Sequence, residues 1–308
     1  MVDRGKRKKV LKSVIIVLFV SLFMLSFASQ AKAHMPGAKP PPKFELEPIV
    51  VDDGGEIVKI TIEEIGLYHN EVAKNMRMKM LKKQGKTDEE IKAIIEKEFA
   101  NSTGICPCVA STYRAVLLGI KKIWRDEIPK RDDMKIISYL PTPGSLHCLQ
   151  CITGNCPKVK SNTKGEFHII LPNGTEVKNF NVKYLKKISI NNNPSNYRFI
   201  ITRKSTDESF IADLKDDIFP DDFFDLRKKV KYGVPEKATD EERERFRSEW
   251  EEVRNKLLTK SDSALFEGVN EDIGKTMFGI ALVLVVFGGI GAIWRVRHIT
   301  TRRRYASK

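Results

Sequence analysis

Cysteine and histidine are both scarce in this 308-residue chain, at five each. The scarcity is uneven: all five cysteines fall between Cys106 and Cys156. Other things are missing altogether. No phosphate-binding loop, Ser-His-Asp set or paired-carboxylate constellation stands out, so neither a hydrolase nor a nucleotide enzyme is indicated. No internal repeat is present. The acidic runs Asp213-Leu214-Lys215-Asp216-Asp217 and Asp221-Asp222 lack the spacing of a calcium loop and read as loop and cap residues. Cys148-x-x-Cys151 is followed by Ile152 rather than histidine, which argues against haem attachment.

Charge of one sign is also missing from the middle of the chain. The net charge is +14, yet residues 34–276 hold 41 basic and 39 acidic residues. The excess lies at the ends, with seven Lys/Arg against one acid in residues 1–33 and six against none in residues 277–308. No basic surface interleaved with aromatics accompanies it, so no nucleic acid is expected as a partner.

The ends read as membrane topology instead. A basic run containing Arg4, Lys6, Arg7, Lys8 and Lys9 precedes an apolar core from Val14 to Phe27 and an Ala31-Lys32-Ala33 cleavage pattern. That is a signal-peptide layout, or an uncleaved N-terminal anchor, over residues 1–33. Met277 to Trp294 is an uncharged apolar run, just long enough to span a bilayer, and the basic tail 295–308 follows it. Positive flanks stay in the cytoplasm. The expectation is a single-pass protein of the cell membrane, with its main domain outside and its C-terminus cytoplasmic. Disulfides persist on that side. Asn101-Ser102-Thr103 and Asn173-Gly174-Thr175 are glycosylation sequons in the same segment.

Between the ends, residues 34–56 read as a Pro-rich spacer, 57–260 as the folded domain and 261–276 as a linker. Ile57 to Ile62 alternates like a strand. Residues 71–100 read as two charged helices broken at Gln84-Gly85-Lys86, with Thr87 and Glu90 forming a capping box. After Cys106-Pro107-Cys108 comes an amphipathic helix, and Met134 to Leu140 is a strand. Pro141 to Gly144 is a loop, and Ser145 is positioned to cap a helix carrying His147, Cys148 and Cys151. Residues 166–182 read as strand, turn and strand, and Tyr197 to Lys204 as a further strand. Two helices, parted near Gly233, close the domain, the last a charged lever toward the membrane. The fold class is α+β, one extracytoplasmic domain with a mixed or antiparallel sheet.

Four stretches in this order, CPCVASTYRA, MKIISYL, HCLQCITG and FFDLRKKVKYGVPEKATDEERERFRSEW, resemble the subunit-E-like family of formylmethanofuran dehydrogenase. Cys106, Pro107, Tyr113, Arg114 and Ala115 match one family motif, and Gln150, Thr153 and Gly154 another. The resemblance implies an α+β core and, in some members, a metal site often assigned as zinc; it implies no known reaction. Ser102-Thr103-Gly104 stands where the family carries His-Gly-His, with Tyr68-His69-Asn70-Glu71 as a substitute. Cys108 replaces a glycine and His147 an acidic residue. A cysteine-rich C-terminal module is replaced by the apolar run.

Cys148 and Cys151 share a helix face. Their sulfurs, with Cys106, His147, His69 and Cys156, are the expected zinc ligands, because thiolate and imidazole suit that ion. The rivals are disulfides, Cys148–Cys151 as a redox pair and Cys106–Cys156 as a structural one, or unpaired buried thiols. Three functions follow: a membrane-anchored, zinc-binding accessory or docking domain, a thiol–disulfide redox protein using Cys148 and Cys151, or a structural surface protein.

Overall fold

The computed structural model describes residue 35 and residues 37–270. The signal or anchor segment, the apolar run 277–294 and the basic tail lie outside the described residues. The described residues up to Glu267 form one compact unit. Among the described residues, no helix is long and apolar enough to cross a membrane.

The unit is mixed α and β, with two sheets. Strands β1 (Ile49–Asp52) and β2 (Ile57–Ile60) form an antiparallel hairpin, with Ile49 opposite Ile60 and Asp52 opposite Ile57. Gly54 and Gly55 turn it at φ of 73° and 96°, a region L-residues avoid. Residues 49–52 therefore belong to the fold and not to a spacer; Ile49 and Val51 alternate inward as a strand should.

Helix α1 (Ile62–Lys83) follows at once, opened by a reciprocal cap between Thr61 and Glu64. Helix α2 (Asp88–Phe99) opens on the matching pair Thr87 and Glu90, as its sequence indicates. Helix α3 (Pro107–Ile123) is buried along nearly its whole length. It packs on strands β5 (Arg198–Arg203) and β6 (Glu208–Asp213). A Cβ on Gly119 would come within 2.7 Å of Ile201, so the glycine lets helix and sheet close.

Strand β3 (Met134–Ser138), helix α4 (Pro143–Ile152) and strand β4 (Glu166–Ile169) form a crossover, since β3 and β4 run parallel. The four-stranded sheet has the order β4-β3-β5-β6, and its other two pairings are antiparallel. The hairpin expected over residues 166–182 forms at its tip alone, where the Leu171 N–H donates to the Thr175 carbonyl at 2.9 Å and the Val177 N–H to that of Ile169 at 2.8 Å. Only Ile170 bridges Glu176, and helix α5 (Val182–Ile188) begins where the second strand was expected to end. Asn181 caps that helix on the Lys183 N–H, which the strand reading overlooked. The real hairpin is β5–β6, turned at Asp207, with φ of 57°.

Helix α6 (Phe223–Tyr232) ends on Gly233 in the left-handed conformation. Helix α7 (Asp240–Thr259) is not a solvated lever. Most of its charges face outward, but Phe246, Trp250, Val253, Arg254, Leu257 and Leu258 are buried, and it packs on α3 and α6. The unit continues past 260 through helix α8 (Asp262–Leu265) and a bridge from Phe266 to Leu214.

Two motif residues of the resemblance are framework. The Tyr113 hydroxyl lies 2.8 Å from the Glu47 carbonyl and 3.0 Å from that of Ile60, and accepts from the Ile49 N–H, so it ties the small hairpin to α3. Arg114 donates to the carbonyls of Leu257 and Lys260 and pairs with Asp262 at 2.5 Å, which fixes the end of α7.

Candidate functional site

Two helices begin face to face. Cys106 is the N-cap of α3, with Pro107 in the first turn and Cys108 behind it. Thr142 caps α4 by accepting from the Ser145 N–H at 3.2 Å, and Pro143 opens that helix. Ser145 is thus inside the helix and not its cap; its hydroxyl bonds with those of Ser138 and Thr112, each at 3.1 Å. Proline suits both starts because the first helical N–H has no partner to lose. Gly144 allows the approach. A Cβ there would lie 2.8 Å from Cys106 Sγ and 3.1 Å from Cys108 Cβ.

The cysteines resolve into three settings. Cys106 and Cys108 hydrogen-bond to each other, and the proton stays on Cys106, whose pKa is raised first by that bond and then by burial. The same bond lowers Cys108 to about 6, with the Thr142 hydroxyl, the Arg227 charge and the Tyr197 hydroxyl adding to the effect. The Tyr197 oxygen lies 3.8 Å from Cys108 Sγ. Cys151 and Cys156 form a second pair near Tyr68. The bond from Cys151 lowers Cys156 to about 6, helped by the Lys158 and Val159 N–H groups. Cys148 stands apart, wholly buried, with its thiol pushed far up by burial.

All five are thiols. The pairs the fold makes are Cys106 with Cys108 and Cys151 with Cys156. The sequence had set Cys106 against Cys156 and Cys148 against Cys151, having no means of seeing that α4 turns Cys148 into the core.

Both candidate histidines are buried. His69, on α1, lies with Nε2 3.9 Å from Cys106 Sγ and Nδ1 2.7 Å from Nδ1 of His147. One imidazole donates there and the other accepts. The His147 ring also leans on Tyr68, with centroids 5.1 Å apart. Burial pulls His147 down to about 4, so it is neutral near neutral pH.

The six expected zinc ligands are only partly gathered. Neighbouring donors on a tetrahedral zinc stand about 3.4–3.8 Å apart, given its bond lengths. Cys106 Sγ and His69 Nε2 come near that spacing, but the two histidine nitrogens are too close to share an ion. Among the described residues no group of three or more His, Cys, Asp or Glu side chains is arranged to hold a metal ion.

Cys106 and Cys108 lie in a cleft of about 780 Å³, measured out to its open mouth. Its remaining wall includes Lys186 from α5, Arg227 and Lys231 from α6, and Trp250 from α7. The sequence reading missed this wall. The basic residues of α6 look like an ordinary solvated charge run; Cys106 and His69, named as zinc candidates, and Cys108, noted as a substituted glycine, pointed here. The chain matches no family model, no curated protein and no solved structure.

Proposed function

We propose that the chain is a membrane-anchored, outward-facing thiol–disulfide exchange protein whose working pair is Cys106 and Cys108. One observation carries this reading. Two hydrogen-bonded thiols stand at a helix N-terminus in an open cleft, whereas Cys148 is wholly buried. A helix N-terminus and a nearby guanidinium favour the thiolate that exchange requires.

The chemistry balances on the chain's own atoms. The Cys108 thiolate attacks one sulfur of a partner disulfide and expels the other as a thiolate. Cys106 then gives up its proton and attacks Cys108 Sγ, releasing the second partner sulfur. The partner disulfide becomes two thiols, and the pair becomes a disulfide, which a dithiol or glutathione-class reductant resets. His69, 3.9 Å from Cys106 Sγ, is placed to take the Cys106 proton.

The anchored setting rests on the two apolar ends and the charge asymmetry in the sequence. Asn101 and Asn173 are both exposed, as glycosylated asparagines must be.

The test is alkylation and exchange on the full chain in native membranes. Cys108 should be alkylated with a rate midpoint near pH 6. Oxidation by glutathione disulfide should yield a Cys106–Cys108 disulfide, with two glutathione thiols released. Cys108→Ser should abolish exchange and Cys151→Ser should leave it. Exchange that survives Cys108→Ser sinks the reading. One zinc per chain, lost in Cys151→Ser, would instead return the zinc-binding domain. In intact cells an impermeant maleimide should label a cysteine placed at Asn162 but not one at Ser307; the reverse pattern overturns the topology.

A further inference from the structure

The cleft is cationic on one side and apolar on the other, and no acidic residue lines it. Along α6 the contrast is sharp. Lys228 and Lys229, outside the cleft, pair with Asp225, Glu236 and Glu242. Arg227 and Lys231, inside it, have no carboxylate partner among the described residues. Arg227 is held in place by neutral acceptors only, the Ser189 carbonyl at 2.8 Å and the Tyr232 hydroxyl at 3.1 Å. Lys231 lies over the Phe246 ring at 6.0 Å. The Cys108 thiolate offsets part of this charge, but three cations with no carboxylate in a partly dry site are costly unless a further counter-charge arrives.

We propose that this cleft binds a small organic anion, with its carboxylate or phosphate among Lys186, Arg227 and Lys231 and its apolar body against Phe223, Phe246 and Trp250. Offered as the substrate class of the Cys106–Cys108 pair, as a small disulfide bearing that anion, it rests on the thiol reading; as a binding site it stands alone. Burial, then Arg227, lowers Lys231 to about 8, and burial lowers Lys186, the state of cations awaiting an anion. The positive end of the α3 dipole adds to the same attraction.

The experiment uses the full chain in detergent, phenyl phosphate as probe and benzyl alcohol as its neutral counterpart. Calorimetry at pH 7 should show phenyl phosphate binding and no binding of the alcohol, and phenyl phosphate should slow alkylation of Cys108. Lys231→Met and Arg227→Met should each weaken binding about tenfold or more, the scale of a lost charge-assisted contact. Lys231→Arg should retain it, and all three variants should keep the parent melting temperature. The double variant Cys106→Ser with Cys108→Ser should still bind. That result, with no exchange in the parent chain, would remove the thiol reading and leave the anion site standing. Equal affinity for phosphate and alcohol, or affinity unchanged in Lys231→Met, overturns the proposal.

Discussion

Replacing Asp53 by alanine is expected to cost about 3–5 kcal/mol, the range for breaking a buried ion pair from one side. Asp53 sits in the turn of the β1–β2 hairpin and is 3 % exposed. It pairs with Arg131, itself buried, at 2.7 Å. Its oxygens also accept from the N–H groups of Thr163 and Asn162, at 2.7 and 3.0 Å, and from the hydroxyls of Ser161 and Thr163. Burial alone would raise the pKa of this carboxyl, but those donors hold it well below the usual carboxylate range. Alanine leaves the guanidinium buried without a counter-ion and several donors without an acceptor.

The loss should appear in urea or thermal unfolding as a fall on the order of 10 °C. Asp53→Ala combined with Arg131→Met should recover part of it, because the orphaned charge is gone. An exposed control, Glu241→Ala, should stay within about 0.5 kcal/mol. A deficit below about 1 kcal/mol for Asp53→Ala would show that the network contributes little, since that is what an ordinary exposed pair contributes.

This network shows where the sequence is legible and where it is not. Thr61 with Glu64, Thr87 with Glu90 and Thr239 with Glu242 are local signals, and each opens the helix it marks. Met134 to Ser138 alternates and is a strand for the same local reason. Asp53 is different, because its partners stand about 80 to 110 positions away and no local pattern announces them. Residues 176–182 mislead for a related cause. Val177 is buried and apolar, but the stretch makes one bridge and then yields to the cap at Asn181.

The site divides in the same way. Cys106 and His69 were legible as chemistry-bearing residues, and they do meet. The assembly of the cleft was not, because Lys186, Arg227, Lys231 and Trp250 come from three helices far along the chain. Cys148 illustrates the limit from the other side. Its spacing to Cys151 puts both on one face of α4, and only the packing of that face against the core makes it inert.

Mild acid should weaken the fold through His147. An unfolded histidine titrates near pH 6.5, whereas burial lowers His147 to about 4 in the native chain. The unfolded state therefore binds the proton first as pH falls. Stability is fully present above about pH 6.5 and is lost progressively between there and pH 4. The shift corresponds to about 3 kcal/mol by the end of that window, since each unit is about 1.4 kcal/mol. His69 faces His147 at 2.7 Å and Tyr68 leans on the ring, so the incoming proton meets an imidazole and a phenol and no carboxylate. His147→Gln keeps a neutral polar group there and removes the titration. Urea unfolding of parent and variant across pH 4–7 should give curves that converge toward acid, with the parent the steeper. Parallel curves would mean that His147 takes up its proton in the folded chain as readily as in the unfolded one, and that its burial between α1 and α4 is not maintained in solution.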